Sequence, residues 1–493
     1  MDLGFSLASY FVLVLTLLYI LNVLKSWNKN DVRNYPPGPR CLPLIGNLHQ
    51  MDLRKLDVTL LELAKKYGPV YSVRMGMRRI VVLAGYETVK DALVNHAEDF
   101  GERGVPTVFK TLDKGMGMIF SNGENWKVMR RFTISTLRDF GMGKSTIEEK
   151  IADECAYLNS YFASFKGKPF DKSMILKSAV ANIIVAILLG NRMEYDDPQF
   201  KRLLRLANEY IRLLNSPMVS MVNAFPFLRI FPGSHKTIER NVREVIDFIQ
   251  KTFVEHLKNL DENDQRSLID VFLVKQKEES GNSQSYFHDE NLTILVRNLF
   301  TAGMETTSNT MRWGLLLMIK YPEIQEKVQE EISRVIGSAQ PMYSHRGQMH
   351  FTNVVIHEIQ RFADIAALNL GHETAKDVTF KGYFIPKGTY IVPFLTSVLK
   401  DKTQFEKPDE FYPQHFLDSK GNFIKKDAFM PFSAGRRACA GETLARMELF
   451  IFFTSLLQKF TFCPPPGVTN VDLTPAPGTR IPKPHMICAM PRF

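Results

Sequence analysis

Cysteine is scarce in this chain and never paired. Cys41, Cys155, Cys439, Cys463 and Cys488 are scattered through 493 residues, with no C-x-x-C spacing. That pattern excludes a disulfide framework and a zinc site, and it suits a reducing compartment. Repeats, low-complexity tracts and a long linker between halves are also missing. Hydrophobic residues make up 45%, so one large domain is as compatible with the length as several small ones. No nucleic-acid motif accompanies the net charge of +10. A basic surface on such a chain points instead to an anionic membrane face or an acidic protein partner.

Charge is absent from Gly4 to Leu24, a run of 21 residues rich in leucine, valine and aromatics. About 20 apolar residues span a bilayer core. A cleaved signal peptide is the competing reading, but no basic segment precedes the run and no small-x-small site follows it. Lys25, Lys29 and Arg33 flank it on the far side, which predicts a lumenal N-terminus and a cytosolic body. Tyr35-Pro36-Pro37-Gly38-Pro39-Arg40 then reads as a stiff extended connector. The expected division is an anchor over 1–27, a basic, proline-rich hinge over 28–40 and one globular domain over 41–493.

What is present is most informative near the C-terminus. Phe432-Ser433-Ala434-Gly435-Arg436-Arg437-Ala438-Cys439-Ala440-Gly441 places one cysteine in a glycine-flanked loop before an amphipathic run. Glycines let backbone turn sharply and approach a flat cofactor. Positive charge and the start of the following helix favour a thiolate. A buried structural cysteine is the plainer reading of such a residue taken alone. Leu292–Lys320 reads as one buried helix containing Ala302-Gly303-Met304-Glu305-Thr306-Thr307. Its glycine implies a close approach to the backbone. Glu358 and Arg361 share a helix face, as do Trp126 and Arg130.

The complete pattern F-x-x-G-x-R-x-C-x-G resembles the haem-binding loop of a cytochrome P-450. From Pro36 to the C-terminus the chain is similar to vertebrate microsomal family 2 enzymes. The resemblance implies a mainly α fold with a small β region near the N-terminal half, preceded by one transmembrane helix. It implies haem b, with Cys439 as the axial iron ligand. Arg103, Trp126, Arg130, His372 and Arg437 would hold the propionates, with Ala302 and Phe432 beside the ring. Glu305 and Thr306 would be the acid and hydroxyl that deliver protons. Glu358, Arg361 and His415 would form a structural triad.

The implied activity is monooxygenation of lipophilic substrates such as xenobiotics, fatty acids or steroids. No nucleotide-binding glycine loop occurs, so NADPH electrons would come from NADPH–cytochrome P-450 reductase, with cytochrome b5 as a further partner. Lys127, Arg131, Arg138, Lys144 and Arg436 are the candidate docking cations. Phe109, Phe120, Asn298, Ala302, Ile365, Ala366, Leu370 and Thr479 are candidates for the substrate pocket. Asn298 would orient substrate or satisfy nearby backbone, and Arg480 is expected to face solvent. The apolar stretch Pro217–Pro232 reads as a loop that dips into the membrane or packs in the core. The implied location is the endoplasmic reticulum membrane. A reductase-independent, peroxide-rearranging relative and a non-catalytic haem sensor or carrier are the alternatives. The Glu305–Thr306 pair argues against both.

Overall fold

The computed structural model describes residues 9–18, 34–143 and 145–492. Its helices, in chain order, are α1 (residues 9–18), α2 (Leu56–Tyr67), α3 (Tyr86–Lys90), α4 (Thr107–Leu112), α5 (Gly123–Asp139), α6 (Ser145–Ser164), α7 (Ser173–Leu189) and α8 (Pro198–Leu214). They continue with α9 (Pro217–Ala224), α10 (Ser234–Lys258), α11 (Leu268–Glu278), α12 (Asp289–Lys320), α13 (Pro322–Val335), α14 (His350–Ala363), α15 (Leu395–Leu399) and α16 (Glu442–Lys459). The strands are β1 (Val70–Met75), β2 (Arg78–Leu83), β3 (Glu102–Arg103), β4 (Phe170–Asp171) and β5 (His372–Glu373), then β6 (Val378–Phe380), β7 (Tyr383–Ile385), β8 (Tyr390–Pro393), β9 (Phe460–Cys463) and β10 (Met486–Pro491).

The β region is not confined to the N-terminal half. The main sheet runs β1-β2-β8-β5-β3, so strands from residues 372–393 sit between β2 and β3. A second sheet, β4-β10-β9, brings the C-terminus back to residue 170. Non-local pairing of this kind leaves no trace in a local hydrophobic pattern.

Two helices with apolar residues on nearly every face form the centre. Ile175–Leu188 of α7 is buried throughout, and α12 lies along it. A helix apolar all round is one that neighbours cover on every side. Gly303 of α12 permits the close crossing, since a Cβ there would sit 2.6 Å from Ile184 Cδ1 of α7. The close approach expected at this glycine is made by Ile184 of α7.

Two further expectations change. Pro36–Gly38 is docked on β1 rather than acting as a free connector. Ser72 N donates to Pro37 O at 2.7 Å and Ser72 Oγ to Pro36 O at 2.8 Å. Pro217–Pro232 is helical over much of its length, with α9 followed by a 3₁₀ turn at Pro226–Ile230. Phe225 is buried there, while Phe227, Ile230 and Phe231 are exposed. Most of the expected anchor lies outside the described residues. Its part within α1 is exposed and apolar, and no described helix is long and apolar enough to cross a membrane.

Candidate functional site

The Cys439 loop is built on a tight backbone crossing. Gly435 adopts φ +72°, and a Cβ there would lie 1.8 Å from Leu93 O, so no other residue fits. The 3₁₀ turn Gly435–Arg437 follows. Cys439 N then donates to Phe432 O at 3.0 Å, closing the loop just before α16. The cysteine side chain is exposed although protein surrounds the loop. Burial pushes its thiol pKa up, opposed by the Gly441 N–H and by Arg130. A coordinated metal cation deprotonates such a thiol outright.

Around this loop the structure gathers all five expected donors. Arg103 of β3 pairs across strands with His372 of β5. Arg437 stacks on Trp126, 3.8 Å from the ring centre, and Arg130 lies 5.9 Å from that ring. Arg130 NH2 donates to Ala438 O at 2.7 Å. Backbone acceptors hold Arg437 at Gly101 O and Ser121 O, and Arg103 at Ile119 O and Leu370 O. Arg103, Arg437 and His372 are buried.

Positive charge is in excess here. Burial, then Arg103, drives Arg437 down to about 8, and burial drives Arg103 down to about 10. Burial with Arg103 and Arg437 takes His372 down to about 3. Glu102 lies 3.8 Å from Arg437, and Glu373 is its cross-strand partner. His372 Nδ1 lies 2.7 Å from Phe100 O and so carries the proton, while its buried Nε2 has no partner. An anion beside it would raise the pKa and make Nε2 a donor. Crowded buried cations with an orphaned imidazole nitrogen fit the two carboxylates of a haem.

On α12, Ala302 and Thr306 are the only exposed residues between Asn291 and Ile319. They are four apart, so both lie on one helix face. Ala366, Leu370 and Cys439 are exposed as well. Phe109 and Phe120 stack with centroids 4.0 Å apart, and Tyr210 meets Phe109 edge-on. Ile365 packs against the main core and Thr479 is half-buried. Thr306 Oγ1 donates to Ala302 O at 2.8 Å.

Glu305 points elsewhere than its neighbour. It is buried and accepts from Lys177 Nζ at 2.8 Å and Asn309 Nδ2 at 2.7 Å. Lys177 Nζ also donates to Asn208 Oδ1 at 2.6 Å, and Asn208 is exposed on α8. Asn298 serves backbone, accepting from Met118 N at 3.2 Å and Ile119 N at 3.1 Å. Arg297 beside it forms a buried ion pair with Asp113. Together they fasten the segment after α4 onto α12. Arg480 pairs with Asp57 and, at 3.7 Å, Asp364, instead of facing solvent. Lys177 and Arg297 were missed in the sequence reading. The available signal was a charged residue inside a helix that is otherwise apolar.

The triad is complete. Arg361 meets Glu358 through two bonds of 2.7 and 2.8 Å, and both residues are fully buried. His415 Nε2 accepts from Lys407 N, so Nδ1 carries the proton it shares with Glu358 Oε2 at 3.2 Å. Among the cations expected to dock a reductase, Lys127 pairs with Glu124 and Arg436 with Glu98, each at 2.5 Å. Arg131 and Arg138 are exposed on α5. Lys144 lies outside the described residues.

Comparison with known proteins agrees with this geometry. The cytochrome P450 family model matches residues 36–489. Cytochrome P450 2K1 of Oncorhynchus mykiss is 51% identical over 493 residues, covering 98% of this chain and 96% of the relative. Cytochrome P450 2K6 of Danio rerio is 50% identical, covering 92% and 90%. Cytochrome P450 2C14 of Oryctolagus cuniculus is 46% identical, covering 94% and 95%. A match spanning nearly the whole chain, over a thiol loop ringed by buried cations, means that the chain belongs to the cytochrome P450 family of haem-binding monooxygenases.

Proposed function

We propose that the chain hydroxylates lipophilic substrates as RH + O2 + NADPH + H+ → ROH + H2O + NADP+, with electrons from a separate flavoprotein reductase. The carrying observation is the pair of exposed residues, Ala302 and Thr306, on an otherwise buried helix. Cys439 would ligate the haem iron, and the five cationic and aromatic donors would hold its propionates. Haem with a thiolate ligand supplies dioxygen activation, because the thiolate favours O–O cleavage.

The protein's own residues do the rest. Phe109, Phe120, Ala366 and Leu370 give substrate an apolar wall. Thr306 Oγ1 donates to Ala302 O and leaves its oxygen lone pairs to accept a hydrogen bond on that helix face. Lys177 bridges exposed Asn208 and buried Glu305, which joins the surface to the residue preceding Thr306. We assign the body to the cytosolic face of the endoplasmic reticulum, anchored by residues 1–27. Phe227, Ile230 and Phe231 form a second apolar contact.

The test is reconstitution with NADPH–cytochrome P-450 reductase and a library of lipophiles. Oxygenated product should form with NADPH, and Thr306→Ala should lower product per NADPH while NADPH oxidation continues. Absence of NADPH-dependent product across the library, in a protein with an intact haem spectrum, would favour a carrier.

A further inference from the structure

Glu305, Asn309 and Arg312 lie at i, i+4 and i+7 on α12, hence on one face. Asn309 Nδ2 donates to Glu305 Oε1 at 2.7 Å and to Glu305 O at 2.8 Å. Its Oδ1 accepts from Arg312 NH1 at 2.7 Å. The other arm of the guanidinium, NH2, donates to Pro482 O in the tail loop at 2.9 Å. On the next residue, Trp313 Nε1 donates to Arg480 O at 2.8 Å. Both Asn309 and Arg312 are buried.

A carboxamide has one accepting and one donating end of almost the same shape, so its orientation is set by its partners. Arginine only donates. The end of Asn309 that faces Arg312 must therefore be the carbonyl, and the NH2 must face Glu305. Glu305 consequently receives two donors, Lys177 Nζ and Asn309 Nδ2. Without Arg312 the buried Asn309 Oδ1 loses its donor, and a side chain that shifts to find another draws its NH2 away from Glu305. A buried carboxylate that loses a donor relocates or takes up a proton.

We propose that Arg312 is a positioning residue for proton delivery, orienting the Asn309 amide and through it holding Glu305 next to Thr306, while the Pro482 carbonyl seats the guanidinium. This rests on the reading of Glu305 as the acid of the pair. Other charged groups bear on the same network. Lys177 faces it from α7, Asp171 from β4, and Lys172 and His485 from the start of α7 and the tail. None of these reaches the Asn309 carbonyl.

The test uses the haem-loaded full chain with its reductase and lauric acid as the probe lipophile. Hydrogen peroxide released per NADPH is measured for Glu305→Gln, Asn309→Leu, Arg312→Met and Arg312→Lys. Arg312→Met should raise the peroxide yield by a factor close to that of Glu305→Gln. Asn309→Leu combined with Arg312→Met should add nothing further, as for residues acting in series. Crystal structures supply a readout independent of turnover, with Glu305 displaced from Lys177 in Arg312→Met. Lysine keeps the charge but cannot span Asn309 and Pro482, so Arg312→Lys should behave like the methionine variant even if the latter folds poorly. If Glu305→Gln leaves peroxide yield unchanged, the acid reading falls and takes this inference with it. If Glu305→Gln uncouples while both Arg312 variants stay coupled with Glu305 in place, the role of Arg312 alone is overturned.

Discussion

Lys177 of α7 and Glu305 of α12 form a buried ion pair at 2.8 Å, one residue before the exposed hydroxyl of Thr306. Burying two charges is costly, and the pair compensates only while both members are present. Lys177→Met should therefore cost about 3–5 kcal/mol, the usual scale for an orphaned buried charge. Adding Glu305→Gln should recover most of that loss. Denaturant unfolding of the four members of this cycle measures the coupling, and strictly additive effects would contradict a direct pair.

Cys439 should be the only thiol the haem spectrum depends on. Cys439→His should abolish the thiolate-type, red-shifted Soret band of the reduced carbon monoxide complex. Cys41→Ser and Cys463→Ser should leave band and stability nearly unchanged, since one site is exposed and the other half-buried. Cys155→Ser and Cys488→Ser place a hydroxyl in buried surroundings and should lower the melting temperature while keeping the band. Retention of the band in Cys439→His would reject the ligand assignment.

Spacing made part of this site readable. Phe432–Gly441 is a continuous segment, and Glu358 with Arg361 is a local pair, so a linear pattern contains them. Lys177–Glu305 spans 128 positions, Arg297–Asp113 spans 184 and Arg312–Pro482 spans 170. Contacts at such separations depend on which helix faces meet, and single-helix periodicity does not specify that. Gly303 shows the same gap, because its spacing announced a close approach without saying that Ile184 makes it. Pro217–Pro232 looked loop-like because prolines bound and interrupt the stretch. Proline is tolerated in a first helical turn, and both Pro217 and Pro226 occupy such positions.

Glu448 of α16 makes stability depend on pH. Its side chain is buried, Thr307 hydrogen-bonds to it, and Oε1 has no partner. Burial pushes its carboxyl up to about 8, against about 4.3 in an unfolded chain. The folded protein therefore keeps this proton at pH values where the unfolded chain has lost it. The resulting stabilisation is fully present below the unfolded pKa and is lost as pH rises through the folded one. Relative to acid conditions the loss near pH 7 is about 4 kcal/mol at most. Glu448→Gln should remove this slope, matching the parent near pH 4.5 and exceeding it near pH 8. Melting curves running parallel for both proteins between those limits would show that Glu448 titrates normally.

Docking of the reductase should rest mainly on Arg131 and Arg138. Both are exposed on α5 and sit seven positions apart, hence on one face two turns from each other. Neither has an ion pair with a described residue, whereas Glu124 already neutralises Lys127 and Glu98 neutralises Arg436. An acidic partner would gain more from an unpaired cation than from one it must first take from a neighbour. Charge complementarity of this type mainly sets encounter rate and orientation, and salt weakens it. Arg131→Glu with Arg138→Glu should slow reductase-supported turnover more than Lys127→Glu with Arg436→Glu. The difference should shrink as ionic strength rises. Peroxide-supported turnover bypasses the reductase and should persist in both double variants with the haem spectrum unchanged. Equal losses with and without the reductase would place the damage at the haem loop and remove these arginines from the docking surface.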